Sequence, residues 1–157
     1  MTFEEIYKAW SPKVYRLCMG YVNDHDRAKD LVQETFIAIW QNLTGFRQEA
    51  ALGTWIFRIA TNICLRSASK KQEQSNLELP LHLADNNESQ KEEKIEFLYK
   101  CVSELEEADR IVISLVLEGI PQSEIASIIG ASDGNTRVKI HRIKQKLTEK
   151  FAAYENI

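Results

Sequence analysis

The chain has 157 residues, 44% of them hydrophobic and 27% charged, with a formal net charge of −3. That suits one medium domain or two small ones with a real core, and no apolar run approaches the ~18 residues needed to cross a bilayer. The N-terminus, MTFEEIYKAW, carries acids early and no apolar signal core, so neither export nor membrane insertion is expected and a cytoplasmic location is. Cys18, Cys64 and Cys101 have spacings that fit no zinc or redox motif, and each stands among apolar neighbours, as small buried residues in a reducing compartment do. The histidines, His25, His82 and His141, are scattered, and no glycine loop to cradle phosphate or catalytic set occurs. No metal, no cofactor and no enzyme activity are expected.

Helical spacing of apolar residues recurs throughout and period-two alternation is scarce, which predicts an all-α fold. The first helix is expected from Thr2 to Val22, with Ser11-Pro12 restarting it, since serine caps a helix and proline fits its first turn. The second runs from Asp26 to Leu43. Ala28, Leu31, Val32, Thr35, Phe36, Ile39, Trp40 and Leu43 fall on its inner face. Its outer face projects Asp30, Gln33, Glu34, Ile37 and Gln41. The third runs from Ala51 to Lys71, with Trp55, Ile59 and Ile63 at four-residue steps. These three make a small bundle over residues 1–71. Residues 72–90 lack period, contain Pro80 and Asn86-Asn87, and read as a flexible linker.

A second small helical domain is expected over residues 91–157. Ser89 with Glu92 makes a capping-box pattern before it, and Ile95, Leu98, Val102 and Leu105 share one helical face. The stretch Glu106 to Glu118 is apolar nearly all round, hence central, and Gly119 ends it. Pro121 opens a short helix whose Ile125, Ala126 and Ile129 face inward. Gly130 ends that helix, Ala131-Ser132-Asp133 turns, and a long helix follows from Gly134 to Phe151. Gln122, Ala126 and Gly130 have the spacing of a helix-turn-helix, with a small residue where the helices cross and a glycine for the left-handed turn. In projection at ~100° per residue, Ile140, Ile143, Leu147 and Phe151 form the buried stripe of the last helix. Asn135, Val138, Lys139 and Arg142 point away from it, and Arg137 and His141 flank them. That face offers cations for phosphates and an amide for a base edge; a plain solvated basic helix is the alternative reading.

The net charge hides its distribution. Residues 45–72 carry Arg47, Arg58, Arg66, Lys70 and Lys71 against Glu49, a net +4. Residues 130–150 carry six basic residues against Asp133 and Glu149, again +4. Residues 73–109 between them carry three basic and eleven acidic residues, a net −8. Two basic patches are therefore separated by an acidic segment, and local fields of that kind steer a polyanion.

Two blocks resemble the extracytoplasmic-function (ECF) sigma factors of bacterial RNA polymerase. DRAKDLVQETFIAIWQN, followed by TWIFRIATN at 54–62, is similar to the family's region two. LEGIPQSEIASIIGASDGNTRVKIHRIKQKL is similar to its region four. Their order, spacing and acidic linker match as well, over nearly the whole chain. The resemblance implies a factor that binds core RNA polymerase through the clamp helices of the beta-prime subunit, opens the −10 element with region two and reads the −35 element with region four. An anti-sigma factor is a further partner that it allows. On this reading Asp30, Gln33, Glu34, Ile37 and Gln41 meet the polymerase. Thr44, Phe46, Arg47, Trp55, Arg58, Asn62 and Arg66 meet the −10 strand, with Phe46 in the loop that captures an unstacked base. Ser132, Asn135, Arg137, Val138, Lys139, His141 and Arg142 meet the −35 duplex. After Gly134 the family commonly has Thr-Val-Lys-Ser-Arg where this chain has Asn135-Thr136-Arg137-Val138-Lys139, so its promoter preference is its own.

For several residues a structural role competes with the functional one. The outer face of the second helix reads equally as solvated surface, Phe46 as a cap on the core and Trp55 as a core tryptophan. At the level of function, the residues alone leave two alternatives: a helix-turn-helix regulator binding paired half-sites, and an interaction protein without DNA contact.

Overall fold

The computed structural model describes residues 2–46, 51–67 and 89–155. Among them the chain is all helical: α1 (Phe3–Val22), α2 (His25–Asn42), α3 (Leu52–Ser67), α4 (Ser89–Ser103), α5 (Glu107–Leu117), α6 (Gln122–Ile129) and α7 (Asp133–Glu155), with a 3-10 turn at Leu43–Gly45. The expected two helical units are α1–α3 and α4–α7. The linker expected at 72–90 lies outside the described residues apart from Ser89 and Gln90, which begin α4. No described helix is long and apolar enough to cross a membrane.

Local chemistry sets the helix ends. The Thr2 hydroxyl accepts from the Glu5 N–H at 3.1 Å and the Glu5 carboxylate accepts from the Thr2 N–H at 3.0 Å, a capping box that opens α1. Asn23 closes α1 in the left-handed region at φ 50°, where asparagine is better tolerated than most residues. The Asp24 carboxylate then caps α2 by accepting from the Arg27 N–H at 3.1 Å. The expected restart at Ser11-Pro12 does not occur, for Pro12 lies inside a continuous α1. Proline in a helix removes a hydrogen bond and costs about 3 kcal/mol. Pro12 is exposed, while Ile6 before it and Val14, Leu17 and Cys18 after it are all buried. One buried stripe on both sides of the proline outweighs the lost bond.

In the first unit Val14 and Leu17 of α1, Ala28 and Ile39 of α2, and Ile56, Phe57 and Ala60 of α3 are fully buried. All three cysteines are buried, as expected. The Cys18 and Cys64 sulfurs lie 3.8 Å apart. Their hydrogen bond, together with burial, pushes the Cys18 thiol far above its ordinary range and leaves it protonated. In the second unit α5 is buried nearly all round through Ile111, Val112, Ile113 and Leu115, and α7 contributes Ile143 and Leu147. Phe97 meets Phe151 edge to face at 5.3 Å.

Two inner-face expectations fail. Trp40 is 63% exposed, because only the edge of Phe3, at the very start of α1, reaches it, with the ring centroids 5.2 Å apart. Ile95, near the start of α4, is exposed and lines a cleft of about 220 Å³ with Arg16, Tyr99 and Leu117.

The two units pack on one another, α1 against α4 and α5, and α3 against α6. The buried side chains form a single cluster. Arg16 of α1 donates a two-pronged pair to the Glu118 carboxylate at 2.7 and 2.8 Å, and this bond raises its pKa. Arg110 of α5 donates to the Tyr21 carbonyl at 2.9 Å, and Tyr21 donates its hydroxyl to Glu107. Burial first, and then that bond to Glu107, raise the Tyr21 pKa. Gly20 sits where α1 and α5 come closest, with Ser114 against the place a Cβ would occupy.

Candidate nucleic-acid interface

The helix-turn-helix forms where expected. Gly130 stops α6 at φ 75°, a conformation that costs a residue with a Cβ about 1–2 kcal/mol. The N–H groups of Gly130 and Ala131 both donate to the Ala126 carbonyl, at 2.9 and 3.0 Å, which fixes the exit of the chain. The Ser132 hydroxyl accepts from the Asn135 N–H at 3.1 Å and so caps α7. Thr136 is fully buried and returns its hydroxyl to the Ser132 carbonyl at 2.8 Å. The Gln122 amide donates to the Asp133 carbonyl at 3.4 Å, tying the start of α6 to the start of α7.

This frame leaves Asn135 exposed with its side chain outside the cap, because Ser132 already does that work. Asn135, Val138, Lys139 and Arg142 come together along one wall of a concavity of about 570 Å³. Val138 is 47% exposed there, an apolar surface among cations. Arg137 and His141 are exposed but do not line the concavity. The sequence reading missed three of its lining residues. Lys146 stands one turn beyond Arg142, and continuing the four-residue step would have found it. Glu106 and Asp109 form the opposite wall from the start of α5, and nothing local in the sequence brings α5 beside α7.

On the first unit, Trp55, Arg58, Asn62 and Arg66 follow helical spacing along one stripe of α3. Phe46, leaving the 3-10 turn, packs on Trp55 with ring centroids 4.8 Å apart and planes tilted by 38°. Trp55 in turn is half-buried against the core. Thr44 is exposed on the turn beside them, and Arg47 lies outside the described residues. The stripe is not all open. The Arg58 guanidinium donates to the Ser127 hydroxyl at 2.8 Å, and Thr54 one turn earlier donates to the Glu124 carboxylate. Both acceptors are on α6, so the two units meet on the face expected to meet a separated strand.

Asp30, Gln33, Glu34, Ile37 and Gln41 are all exposed on α2, and Ile37 is 51% exposed. Gln33 and Ile37 also border a largely apolar groove of about 700 Å³ between α1 and α2, with Tyr7, Tyr15, Phe36 and Trp40. The sequence reading placed Phe36 and Trp40 inward and did not foresee the groove. Among the described residues no cluster of His, Cys, Asp or Glu is arranged to hold a metal ion.

A capped turn, a buried α6 and an exposed polar face on α7 define a helix-turn-helix protein with a second helical unit. The family model for Sigma-70 region 2 matches residues 6–74, and that for Sigma-70, region 4 matches residues 96–147. The chain is 28% identical to the ECF RNA polymerase sigma-E factor of Haemophilus influenzae over 165 aligned positions, which cover 95% of this chain and 87% of that protein. The sigma-E factor of Escherichia coli K12 is likewise 28% identical, with 94% and 85% covered. In three dimensions the chain resembles CnrH, solved in complex with the cytosolic domain of CnrY, at a TM-score of 0.73 and 20% identity, over 96% of this chain and 88% of that one. It also resembles the Bartonella quintana sigma factor RpoE, solved with the anti-sigma factor NepR, at a TM-score of 0.71 and 21% identity, over 94% of both chains. The chain belongs to the ECF sigma factors of the sigma-70 family.

Proposed function

We propose that this chain binds core RNA polymerase and directs it to promoters by reading a −35 element with α7 and holding the opened −10 strand against α3. The observation that carries this reading is the exposed set Asn135, Val138 and Arg142 behind a capped turn. That set supplies an amide, a methyl-bearing side chain and a guanidinium, the groups that read adenine, the thymine methyl and guanine or phosphate in a major groove. Arg137, His141 and Lys146 supply further polar and cationic contacts, Lys139 lies beside them on the same face, and Ser132 holds the frame. On the first unit, Phe46 on Trp55 makes an aromatic pair suited to stacking an unpaired base. Thr44, Asn62 and Arg66 lie along the expected path of the strand, and Arg47, next in sequence to Phe46, is proposed to meet it too. The exposed polar face of α2, with Ile37 as its apolar anchor, suits a charged helical partner such as the polymerase clamp. An anti-sigma factor as a further partner is in keeping with the two neighbouring folds, one solved with the cytosolic domain of CnrY and the other with the anti-sigma factor NepR.

The packing of the two units bears on this function. A compact chain of this length has a radius of gyration of about 15 Å, hence a diameter of about 40 Å. Elements centred about 25 base pairs apart are separated by about 85 Å along the duplex. Holding both elements at once therefore requires the seam between α1–α3 and α4–α7 to part, which also frees Arg58 from Ser127.

Run-off transcription with purified core polymerase on genomic DNA tests the reading. Transcripts starting downstream of a shared bipartite sequence, dependent on this chain, are expected. DNA binding by the chain alone to paired half-sites, with no transcripts, would identify an ordinary regulator instead.

A further inference from the structure

The face of α7 that meets DNA in the proposed function is opposed by acids from a different helix. Asp109 of α5 faces Lys139 across the concavity, with Nζ 3.4 Å from Oδ1. The Asp109 side chain is only 14% exposed, while that of Lys139 is 39% exposed. Glu106, one turn earlier, lines the same wall. Lys139 is therefore not a free cation held out to any phosphate that approaches. It lies back against α5, and its stem leaves Asn135 and Val138 exposed at the start of the reading face.

We infer that Asp109 is a specificity-determining positioning residue: it holds Lys139 away from the DNA backbone, so that affinity comes from the groups that reach base edges rather than from charge alone. Phosphate contacts add affinity on every sequence and carry no sequence information. A cation paired with a carboxylate within the protein contributes little to that general attraction. The wall formed by Asp109 and Glu106 also repels a polyanion that is not seated deeply enough for Asn135, Val138 and Arg142 to make their contacts. Discrimination of this kind penalises the wrong partner as well as favouring the right one. The inference rests on α7 being the −35 reader and adds to that reading a residue outside α7.

The test uses the full chain, since the concavity is open in the packed protein. Binding to a random-sequence duplex and to a −35 duplex obtained by selection is measured by fluorescence anisotropy between about 50 and 200 mM salt. Four proteins are compared: wild type, Asp109→Asn, Lys139→Gln and the double variant. In Asp109→Asn the freed lysine reaches phosphate, so log K against log salt steepens by about 0.9. Binding to the random duplex tightens and the specific-to-random ratio falls several-fold. Lys139→Gln alone moves the slope by much less than that, and in its background Asp109→Asn no longer steepens it. Asp109→Glu restores the wild-type slope. A mere loss of stability would not change the slope and would not depend on Lys139. An unchanged or flatter slope in Asp109→Asn overturns the inference, as does a steepening that persists without Lys139. Failure of the parent reading is separately visible: the wild type would then select no −35 sequence at all, while the slopes on random DNA would still report on Asp109.

Discussion

Gly20→Ala tests whether the two helical units are packed in solution as they are in the structure. A Cβ at position 20 would stand 2.1 Å from the Ser114 hydroxyl oxygen and 3.2 Å from the Ser114 Cβ. Ser114 is itself buried on α5, so it has little room to turn away, and overpacking of this kind costs about 1–3 kcal/mol. Alanine in place of glycine in a helix has the opposite intrinsic effect, a gain of up to about 1 kcal/mol. The sign of the net change is therefore diagnostic. With the seam closed, Gly20→Ala loses about 1–2 kcal/mol; with the units apart, it gains up to about 1 kcal/mol. Ser114→Ala removes the oxygen at 2.1 Å and leaves only the tight but tolerable 3.2 Å contact. Adding Gly20→Ala to Ser114→Ala should then be nearly neutral, and a double-mutant cycle should return a coupling of about 1–2 kcal/mol. Urea denaturation followed by circular dichroism measures all four proteins. A Gly20→Ala variant at least as stable as wild type, with no coupling to Ser114, would refute the packed arrangement.

Three further outcomes follow from single sites. Gly130→Ala meets no atom within 4 Å, so its whole cost is the left-handed backbone, about 1–2 kcal/mol; a thermal midpoint equal to wild type would show that the turn has another conformation. Thr61 is buried with its hydroxyl oxygen unpartnered, so Thr61→Val, of the same shape, should be neutral or stabilise by about 1 kcal/mol; a loss of stability on denaturation would mean that the hydroxyl does have a partner. Asp30→Ala combined with Glu34→Ala should weaken binding to core polymerase with helicity intact, and equal affinities in a pull-down titration would exclude the outer face of α2 from that contact.

What could be read in the sequence follows the range of the forces involved. The helix-turn-helix depends on Gly130, Ser132 and Ala126, all within one turn of the elements they join, and its two helices and turn were legible, though the capping role of Ser132 was not. The stripe of α3 was legible as a face, because helical spacing alone puts Arg58, Asn62 and Arg66 together. That α6 lies across part of it was not, since the Arg58–Ser127 contact joins residues 69 apart. Asp109 was hidden for the same reason, 30 residues from Lys139. Pro12 misled in the other direction: its local preference for a first turn is real, but the buried stripe through Val14 and Leu17 overrides it. Trp40 lies on the stripe that periodicity assigned, and it stays largely exposed because Phe3, at the start of α1, meets only part of it. Ser132 and Asn135 were both assigned to DNA, and the hydrogen bond between them gives Ser132 the capping role and leaves the Asn135 amide exposed.

The seam joins the two units through polar side-chain contacts as well as through the shared buried cluster. Several of its side-chain contacts are polar: Arg58 with Ser127 at the surface, and Arg16 with Glu118 and Thr54 with Glu124, each of which reaches a buried group. Arg16 is half exposed, but Glu118 is nearly buried and the pair is two-pronged, so separating it costs more than separating an exposed ion pair does. Each of these bonds involves a charged group and contributes about 1.5–3 kcal/mol, but water can take the place of a lost partner. The fully buried Val14, Leu17, Ile39, Ile56 and Phe57 of the first unit, and Ile111, Leu115 and Ile143 of the second, have no such substitute. Parting the units therefore costs less than unfolding either one, and on the proposed function only the −10 strand offsets that cost. On that reading the −10 strand takes the place of α6 as the partner of Arg58, while the −35 duplex engages a face of α7 that is open in either state. A −35 duplex alone therefore has no differential hold on the open form, whereas single-stranded −10 DNA does, and only the strand that competes with α6 shifts the equilibrium.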